Sequence, residues 1–118
     1  PYYLDLDHPA RRGASSILEI PPSAYLLPLN MSTLRFIGLR AMLAIVRLLH
    51  RRSTVLNFYC HPWEFVPAAA LQYPDGVPPR HARGVGPHLL APLRRFVEAV
   101  REMGYEPATT REVAACAW

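Results

Sequence analysis

The sequence contains no lysine: all thirteen of its basic side chains are arginine, and with nine acidic residues the net charge is +4. This excess is too small and too scattered to predict nucleic-acid binding. Two cysteines, Cys60 and Cys116, are too few for a disulfide framework, and neither belongs to a Cys-x-x-Cys pair. The longest apolar helical run, residues 34–49, is interrupted by arginines, so we expect no membrane span.

Processing signals are also lacking, because no secretory signal opens the chain, which begins at Pro1 rather than at methionine. The compartment is therefore left open. Its 118 residues, 51% of them hydrophobic, suffice for one modest domain. Thirteen prolines are many for this length and predict irregular connections, of which residues 66–87 form the longest loop.

The segment from Thr54 to Cys60 carries the strongest strand signal, since it is dense in β-branched and aromatic residues and nearly continuously apolar. Pro62 cannot donate to a sheet and favours an extended residue before it, so we expect the strand to stop at His61. In parallel α/β sheets the active site is built at the carboxyl ends of strands. A histidine in this place is either a catalytic group or a packing residue, and spacing alone leaves both interpretations open.

The remaining elements alternate between strands and helices. The pattern predicts a strand over residues 16–20, followed by a helix from Ser32 or Thr33 to about Arg51. The apolar stripe of this helix is Phe36, Leu39, Leu43 and Val46. A second helix over residues 88–103 is stopped by Gly104, a strand follows over residues 105–108, and a last helix begins with the capping box Thr109-Thr110-Arg111-Glu112.

Helices of this length fit right-handed crossovers, so the strands are expected to be parallel. Three strands cannot close a barrel or shield both faces of a sheet. The sequence therefore predicts an α/β fold in which residues 1–118 are one C-terminal segment of a larger domain.

Two other groups of reactive side chains occur close together in the sequence. Asp5, Asp7 and His8 are close in sequence, but we expect the two aspartates on one strand face and the histidine in a turn, which disfavours a metal site. Cys60 and His61 are the residue types of a cysteine–histidine enzyme. Adjacent strand residues point to opposite faces, however, so they make a poor nucleophile–base pair.

The chain resembles the closing half of the polysaccharide deacetylase (NodB-homology) family. The resemblance is carried by Glu19-Ile20-Pro21, by Phe58-Tyr59-Cys60-His61-Pro62-Trp63-Glu64, and by the ending Gly104-Tyr105-Glu106-Pro107-Ala108-Thr109-Thr110-Arg111-Glu112-Val113. It is nearest to the subgroup whose last motif reads His-Pro-Trp-Glu, and only this motif is specific. It implies the C-terminal part of a distorted (β/α) barrel with parallel strands, incomplete in this chain.

The implied activity is removal of acetyl groups from N-acetylated sugars with a divalent metal, usually zinc. His61 would be the general acid that protonates the leaving amine, a role that suits an imidazole titrating near neutral pH. Tyr59 takes the position of the family's leucine in the acetyl pocket, Trp63 would stack on a sugar or pack under the loop, and Glu64 would orient His61 or pair with an arginine. Together with Pro62 these three residues are the expected substrate-binding set.

The family's metal ligands, an aspartate and a His-x-x-x-His pair, and its aspartate base have no counterpart among the five histidines and their neighbours. The resemblance thus implies a missing N-terminal half as partner and a chain that is inactive alone. The alternative is a non-catalytic carbohydrate-binding or interaction module left from such a barrel.

Overall fold

The computed structural model describes residues 1–67, 70 and 84–116. Its regular elements are the strands β1 (Tyr2–Tyr3) and β2 (Leu18–Glu19), the helices α1 (Met31–His50), α2 (Leu90–Glu102) and α3 (Thr110–Ala114), and two 3₁₀ turns at Pro62–Phe65 and Pro87–Leu89. Most of the predicted loop over residues 66–87 lies outside the described residues. Among the helices of the described part, none has the length and apolar character needed to cross a membrane.

The two short strands pair with each other. β1 runs antiparallel to β2, with Tyr2 opposite Glu19 and Tyr3 opposite Leu18. The strand predicted over residues 16–20 is therefore present in shortened form, because Pro21 and Pro22 cannot extend it. Its partner is the entry segment of the chain.

Helix α1 begins two or three residues earlier than predicted. Its N-cap is Asn30, whose Oδ1 accepts a hydrogen bond of 2.7 Å from the Thr33 N–H. Asparagine caps helices as well as serine does, and the prediction of Ser32 or Thr33 as cap was wrong. The consequence is that Ser32 lies inside the first turn of α1.

A break at Gly38 divides helix α1. Gly38 has φ 80° and ψ 166°, a conformation that side-chain-bearing residues rarely adopt. The break changes the direction of the side chains before it, so Phe36 is 72% exposed although the helical stripe predicts it in the core. Leu34 and Met42 are buried instead. The predicted stripe is thus wrong at Phe36, while Val46 is buried as expected.

The core lies between α1 and α2. Its buried members are Leu29, Met31, Leu34, Met42, Val46, Leu49, Leu89, Phe96 and Val100. Phe58 extends this core from the central segment, because its ring lies 4.6 Å from that of Phe96. The sequence also predicts an apolar stripe of Leu89, Leu93, Phe96, Val97 and Val100 on the second helix. Of these, Leu89, Phe96 and Val100 are buried, while Val97 is 45% exposed.

The central segment, residues 54–60, forms no regular strand, and within the described residues its bridge is an isolated parallel one, between Asn30 and Tyr59. The Met31 N–H donates to the Tyr59 carbonyl at 3.1 Å, and the Tyr59 N–H donates to the Leu29 carbonyl at 3.3 Å. The Asn57 N–H instead donates to Ser23 Oγ at 2.8 Å. A side chain here takes the place of a ladder partner, which explains why the predicted regular strand does not form.

The chain nevertheless makes one parallel crossover, because residues 29–30 lead into α1 and residues 57–59 return beside them in the same direction. The helix lengths predict a crossover of this kind, but from the strand over residues 16–20, of which Leu18 and Glu19 pair with β1 instead. The larger barrel stays a prediction, since a bridge of this size neither requires nor opposes it.

In the C-terminal part, the predicted helix end and helix cap are present, but the predicted last strand is not. Gly104 ends the second helix with φ 92°, and the capping box of α3 is present at Thr109 and Glu112. Residues 105–108 form no strand in the described structure, so the short strand expected there is wrong. Pro107 offers no N–H for pairing. Between this segment and residues 54–58 lies an open groove of about 420 Å³.

Candidate functional site

The His-Pro-Trp-Glu motif forms a tight turn at the end of the central segment. His61 is extended, with φ −106° and ψ 140°, as a residue before proline should be. Pro62 opens the 3₁₀ turn Pro62–Phe65, where its missing N–H is not needed. The Glu64 N–H closes this turn by donating to the His61 carbonyl at 3.0 Å.

Glu64 is the buried centre of the site, with only 1% of its surface exposed. Its Oε2 accepts a 2.8 Å hydrogen bond from the His61 N–H, and its Oε1 accepts one of 3.0 Å from Ser32 Oγ. A buried carboxylate is costly unless its oxygens are hydrogen-bonded. These two donors therefore fix the position of Glu64 between the turn and the start of α1.

The imidazole of His61 is held on three sides. Its Nδ1 lies 3.5 Å from Glu64 Oε2, the distance of an ion pair when the ring carries a proton. The Trp63 ring stacks on it with centroids 5.4 Å apart, and the Tyr59 ring meets it edge-on at 5.7 Å. The side chain is still 52% exposed. Since Nδ1 faces Glu64, Nε2 is the nitrogen left for a ligand.

Tyr59 is tied to the start of helix α1. Its hydroxyl accepts a hydrogen bond of 2.8 Å from Asn30 Nδ2. Asn30 thus uses its carbonyl oxygen to cap the helix and its amide nitrogen to hold the tyrosine. The hydrogen bond to Asn30 therefore fixes the Tyr59 ring where it meets the His61 imidazole.

A second 3₁₀ turn supports the first one. The Gly86 N–H donates to the Glu64 carbonyl at 2.9 Å, just before the turn Pro87–Leu89 begins. Gly86 has φ 146°, and a Cβ there would come within 3.1 Å of the His88 ring. Glycine is therefore required where this turn approaches the His-Pro-Trp-Glu motif.

The structure thus brings together all of the predicted site residues, Tyr59, His61, Pro62, Trp63 and Glu64, and adds Asn30 and Ser32. Trp63 is partly buried and has one face against His61. The sequence could have identified Asn30 as the N-cap of α1, because an asparagine directly before an apolar helical run is a typical capping residue. No sequence pattern could have indicated the role of Ser32, since its hydrogen-bond partner is 32 residues away.

Cys60 lies beside this site but is not joined to it. Burial, and then the negative charge of Glu64, raise the pKa of the Cys60 thiol. A raised pKa keeps the thiol protonated and reduces its nucleophilicity. No hydrogen bond connects Cys60 with His61 in the described structure, which disfavours the cysteine–histidine alternative.

Asp5, near the start of the chain, stabilises a turn. Asp5 Oδ1 accepts hydrogen bonds from the backbone N–H groups of Asp7, at 2.9 Å, and His8, at 3.2 Å. Across residues 1–67, 70 and 84–116, no three histidine, cysteine or acidic side chains gather in a group that could hold a metal ion. The described residues therefore supply no ligand set for the zinc that the resemblance implies.

Comparison with known proteins found no match to any family model, any curated protein or any solved structure.

Proposed function

We propose that this chain is the C-terminal portion of a metal-dependent polysaccharide deacetylase, in which His61 is the general acid. The observation that carries the proposal is the setting of His61. Its ring is half-exposed, its Nδ1 faces the buried carboxylate of Glu64, and Trp63 stacks on one of its faces. This is the arrangement of an imidazole that is oriented on one side and open to a substrate on the other.

In this proposal the substrate is an N-acetylated sugar whose amide bond is hydrolysed. As the tetrahedral intermediate collapses, the carbon–nitrogen bond breaks and the amine nitrogen takes the proton from His61 Nε2. Glu64, with its Oε2 3.5 Å from His61 Nδ1, keeps the ring in position. In the proposal, Tyr59 and Pro62 border the acetyl end, and the indole of Trp63 stacks on a sugar ring.

Hydrolysis of the amide also requires a water molecule that attacks the acetyl carbonyl. None of the residues named above is assigned the activation of that water. The resemblance gives that role to a metal and an aspartate base, and the described residues do not contain a fitting ligand set. The proposal therefore needs the N-terminal half of the barrel as a partner, on the same polypeptide or on a separate one.

The test compares His61→Ala with the complete protein in zinc-supplemented deacetylation of N-acetylglucosamine oligomers. We expect turnover to fall about a hundredfold or more, the usual contribution of a positioned acid, while bound zinc stays unchanged. His8→Ala is the matched control, because His8 is exposed and lies in the turn near the start of the chain. Equal turnover of His61→Ala and the parent would remove His61 from the mechanism.

A non-catalytic carbohydrate-binding module is the second candidate. It is favoured by the contiguous ring contacts of Tyr59, His61 and Trp63 at a partly exposed surface, since aromatic faces bind sugars without a metal. Binding of the same oligomers in the presence of a chelator, lost in Trp63→Ala, would support the module if no deacetylation is detected. Absence of binding with Trp63 intact would exclude it.

A further inference from the structure

The loop of residues 24–28 presents apolar side chains to solvent. Tyr25 and Leu27 are each 41% exposed, and Leu26, between them, is 85% exposed. Leaving such side chains in water forgoes the stabilisation that their burial would give to the folded state. Single exposed apolar residues are common on protein surfaces, but three in a row at the tip of a loop form a patch of the kind that contacts a partner or a membrane.

Hydrogen bonds at the base of this loop hold its shape. Ala24 and Pro28 face each other in an isolated antiparallel bridge. The Ser23 carbonyl accepts a hydrogen bond of 2.7 Å from the Leu29 N–H, and the Ser23 N–H donates to the Asn57 carbonyl at 2.9 Å. Leu29 is fully buried, so the loop is anchored in the core while its tip is exposed. The tip therefore needs no further ordering before it contacts a surface.

Arg52 places a positive charge beside the tip. Its Cζ lies 5.8 Å from the centroid of the Tyr25 ring, and its side chain is exposed. Arg52 also lines an open cleft of about 240 Å³ at the base of the loop, together with Ser23 and Ala24. Among the described residues that line this cleft, none is acidic. An anion can therefore approach Arg52 from solvent without meeting a carboxylate in the cleft.

The sequence around this loop is basic over a long stretch. Between Glu19 and Glu64 there is no acidic residue, while five arginines occur. Three of them, Arg47, Arg51 and Arg52, are exposed and lie at the C-terminal end of α1 or directly after it. Each basic residue near the surface of an anionic bilayer strengthens binding to it. The charge of this end of α1 is thus complementary to anionic lipid.

We propose that the loop of residues 24–28 docks this protein on an anionic phospholipid bilayer. Leu26 and Leu27 enter the boundary between headgroups and acyl chains, and Tyr25 lies at the level of the headgroups, which suits an apolar ring with a polar hydroxyl. Arg52 binds a lipid phosphate. A nucleic acid would account for the arginines but not for the apolar tip, whereas a bilayer accounts for both. The contact is peripheral and does not rest on the proposed function.

The experiment measures flotation of the complete protein with vesicles of phosphatidylcholine, either alone or mixed with phosphatidylserine. We expect binding to the anionic vesicles that falls at high salt, because salt screens the attraction of the arginines. Leu26→Ser should weaken this binding about tenfold or more, the effect of removing one inserted leucine side chain. Leu6→Ser is the matched control, because Leu6 is 67% exposed in the turn near the start of the chain, and it should bind like the parent.

A second pair of variants tests the charged part of the surface. Arg52→Gln should weaken binding to the anionic vesicles about fivefold, while Arg94→Gln, on the exposed surface of α2, should bind like the parent. Dissolved glycerol phosphate separates a lipid headgroup from a free anion. If it binds with dependence on Arg52 as tightly as the vesicles do, the assignment to a bilayer is wrong.

The remaining outcomes would also overturn the proposal. They are absence of flotation of the parent, equal flotation with neutral and anionic vesicles, and equal flotation of Leu26→Ser and Leu6→Ser. A change of oligomeric state in Leu26→Ser, measured by sedimentation and without a change in flotation, would make the tip a protein interface instead. None of these measurements involves deacetylation, so the proposed function is tested separately by His61→Ala.

Discussion

Ser32 Oγ donates a 3.0 Å hydrogen bond to Glu64 Oε1, and so the start of helix α1 holds the carboxylate that orients His61. The other oxygen, Oε2, accepts from the His61 N–H and lies 3.5 Å from His61 Nδ1. One buried carboxylate thus connects a helix, a tight turn and the imidazole. Its removal should change stability as well as any activity.

Glu64→Gln should destabilise the protein by about 1–3 kcal/mol, because the amide NH₂ must face one of two donors and leaves it unsatisfied. Urea denaturation followed by circular dichroism gives the change in the free energy of unfolding. Glu98→Gln, which alters an exposed carboxylate on α2, should stay within about 0.5 kcal/mol of the parent. Equal stabilities of the two variants would contradict the network around Glu64.

The second prediction concerns the double role of Asn30. Asn30→Ala removes the helix cap and should cost about 1–2 kcal/mol, together with the hydrogen bond to Tyr59. A double-mutant cycle with Tyr59→Phe isolates that bond, and we expect a coupling energy of about 0.5–1.5 kcal/mol. Additive effects of the two substitutions would show that Asn30 and Tyr59 do not interact in solution.

Gly38→Ala tests the break in helix α1. An added Cβ would meet nothing within 4 Å, so any cost comes from the backbone conformation and should be about 1–3 kcal/mol. In a regular helix the same substitution would stabilise by about 1 kcal/mol. Thermal denaturation distinguishes these signs, and Ala44→Gly, in the second segment of α1, provides the reference for a regular helical position. A more stable Gly38→Ala variant would mean that α1 is continuous.

Acid should weaken the cap of α3. The pKa of Glu112 is lowered, first by the Thr109 N–H at 2.6 Å and then by the Thr109 hydroxyl at 2.8 Å. A lowered folded-state pKa means that the stabilisation is present above the pKa of the unfolded chain and is lost as pH falls through the folded-state value. Carboxyl NMR titration should show the midpoint of Glu112 rising in Thr109→Ala but staying below its usual value, because the N–H remains. An unchanged midpoint would exclude the hydroxyl contact.

The sequence allowed prediction of the features that depend on neighbouring residues. Gly104 ends the second helix and Thr109 with Glu112 caps the third one, because both signals act within one helical turn. The cap of α1 was misplaced since Asn30, Ser32 and Thr33 are all good capping residues within one turn. The strand over residues 105–108 was wrong because local extended character does not supply a pairing partner.

The sequence predicted that the side chains of the His-Pro-Trp-Glu motif lie together, but not which residues hold them. The His-Pro-Trp-Glu motif marks a turn through its proline, and its side chains do lie together. The contacts that hold it come from Asn30 and Ser32, which are 29 and 32 residues from their partners. No local pattern encodes such distances, and the exposure of Phe36 depends on the single backbone break at Gly38.

The hydrogen bonds of Asn30 to Tyr59 and of Ser32 to Glu64 close a chain segment that contains all of helix α1. The imidazole environment is therefore complete only while that helix is folded. By thermodynamic linkage, a glycan that binds at His61 would raise the melting temperature of α1 and slow amide exchange along it, including in residues far from the sugar. Hydrogen exchange in α1 would then report occupancy of the site even when no reaction takes place.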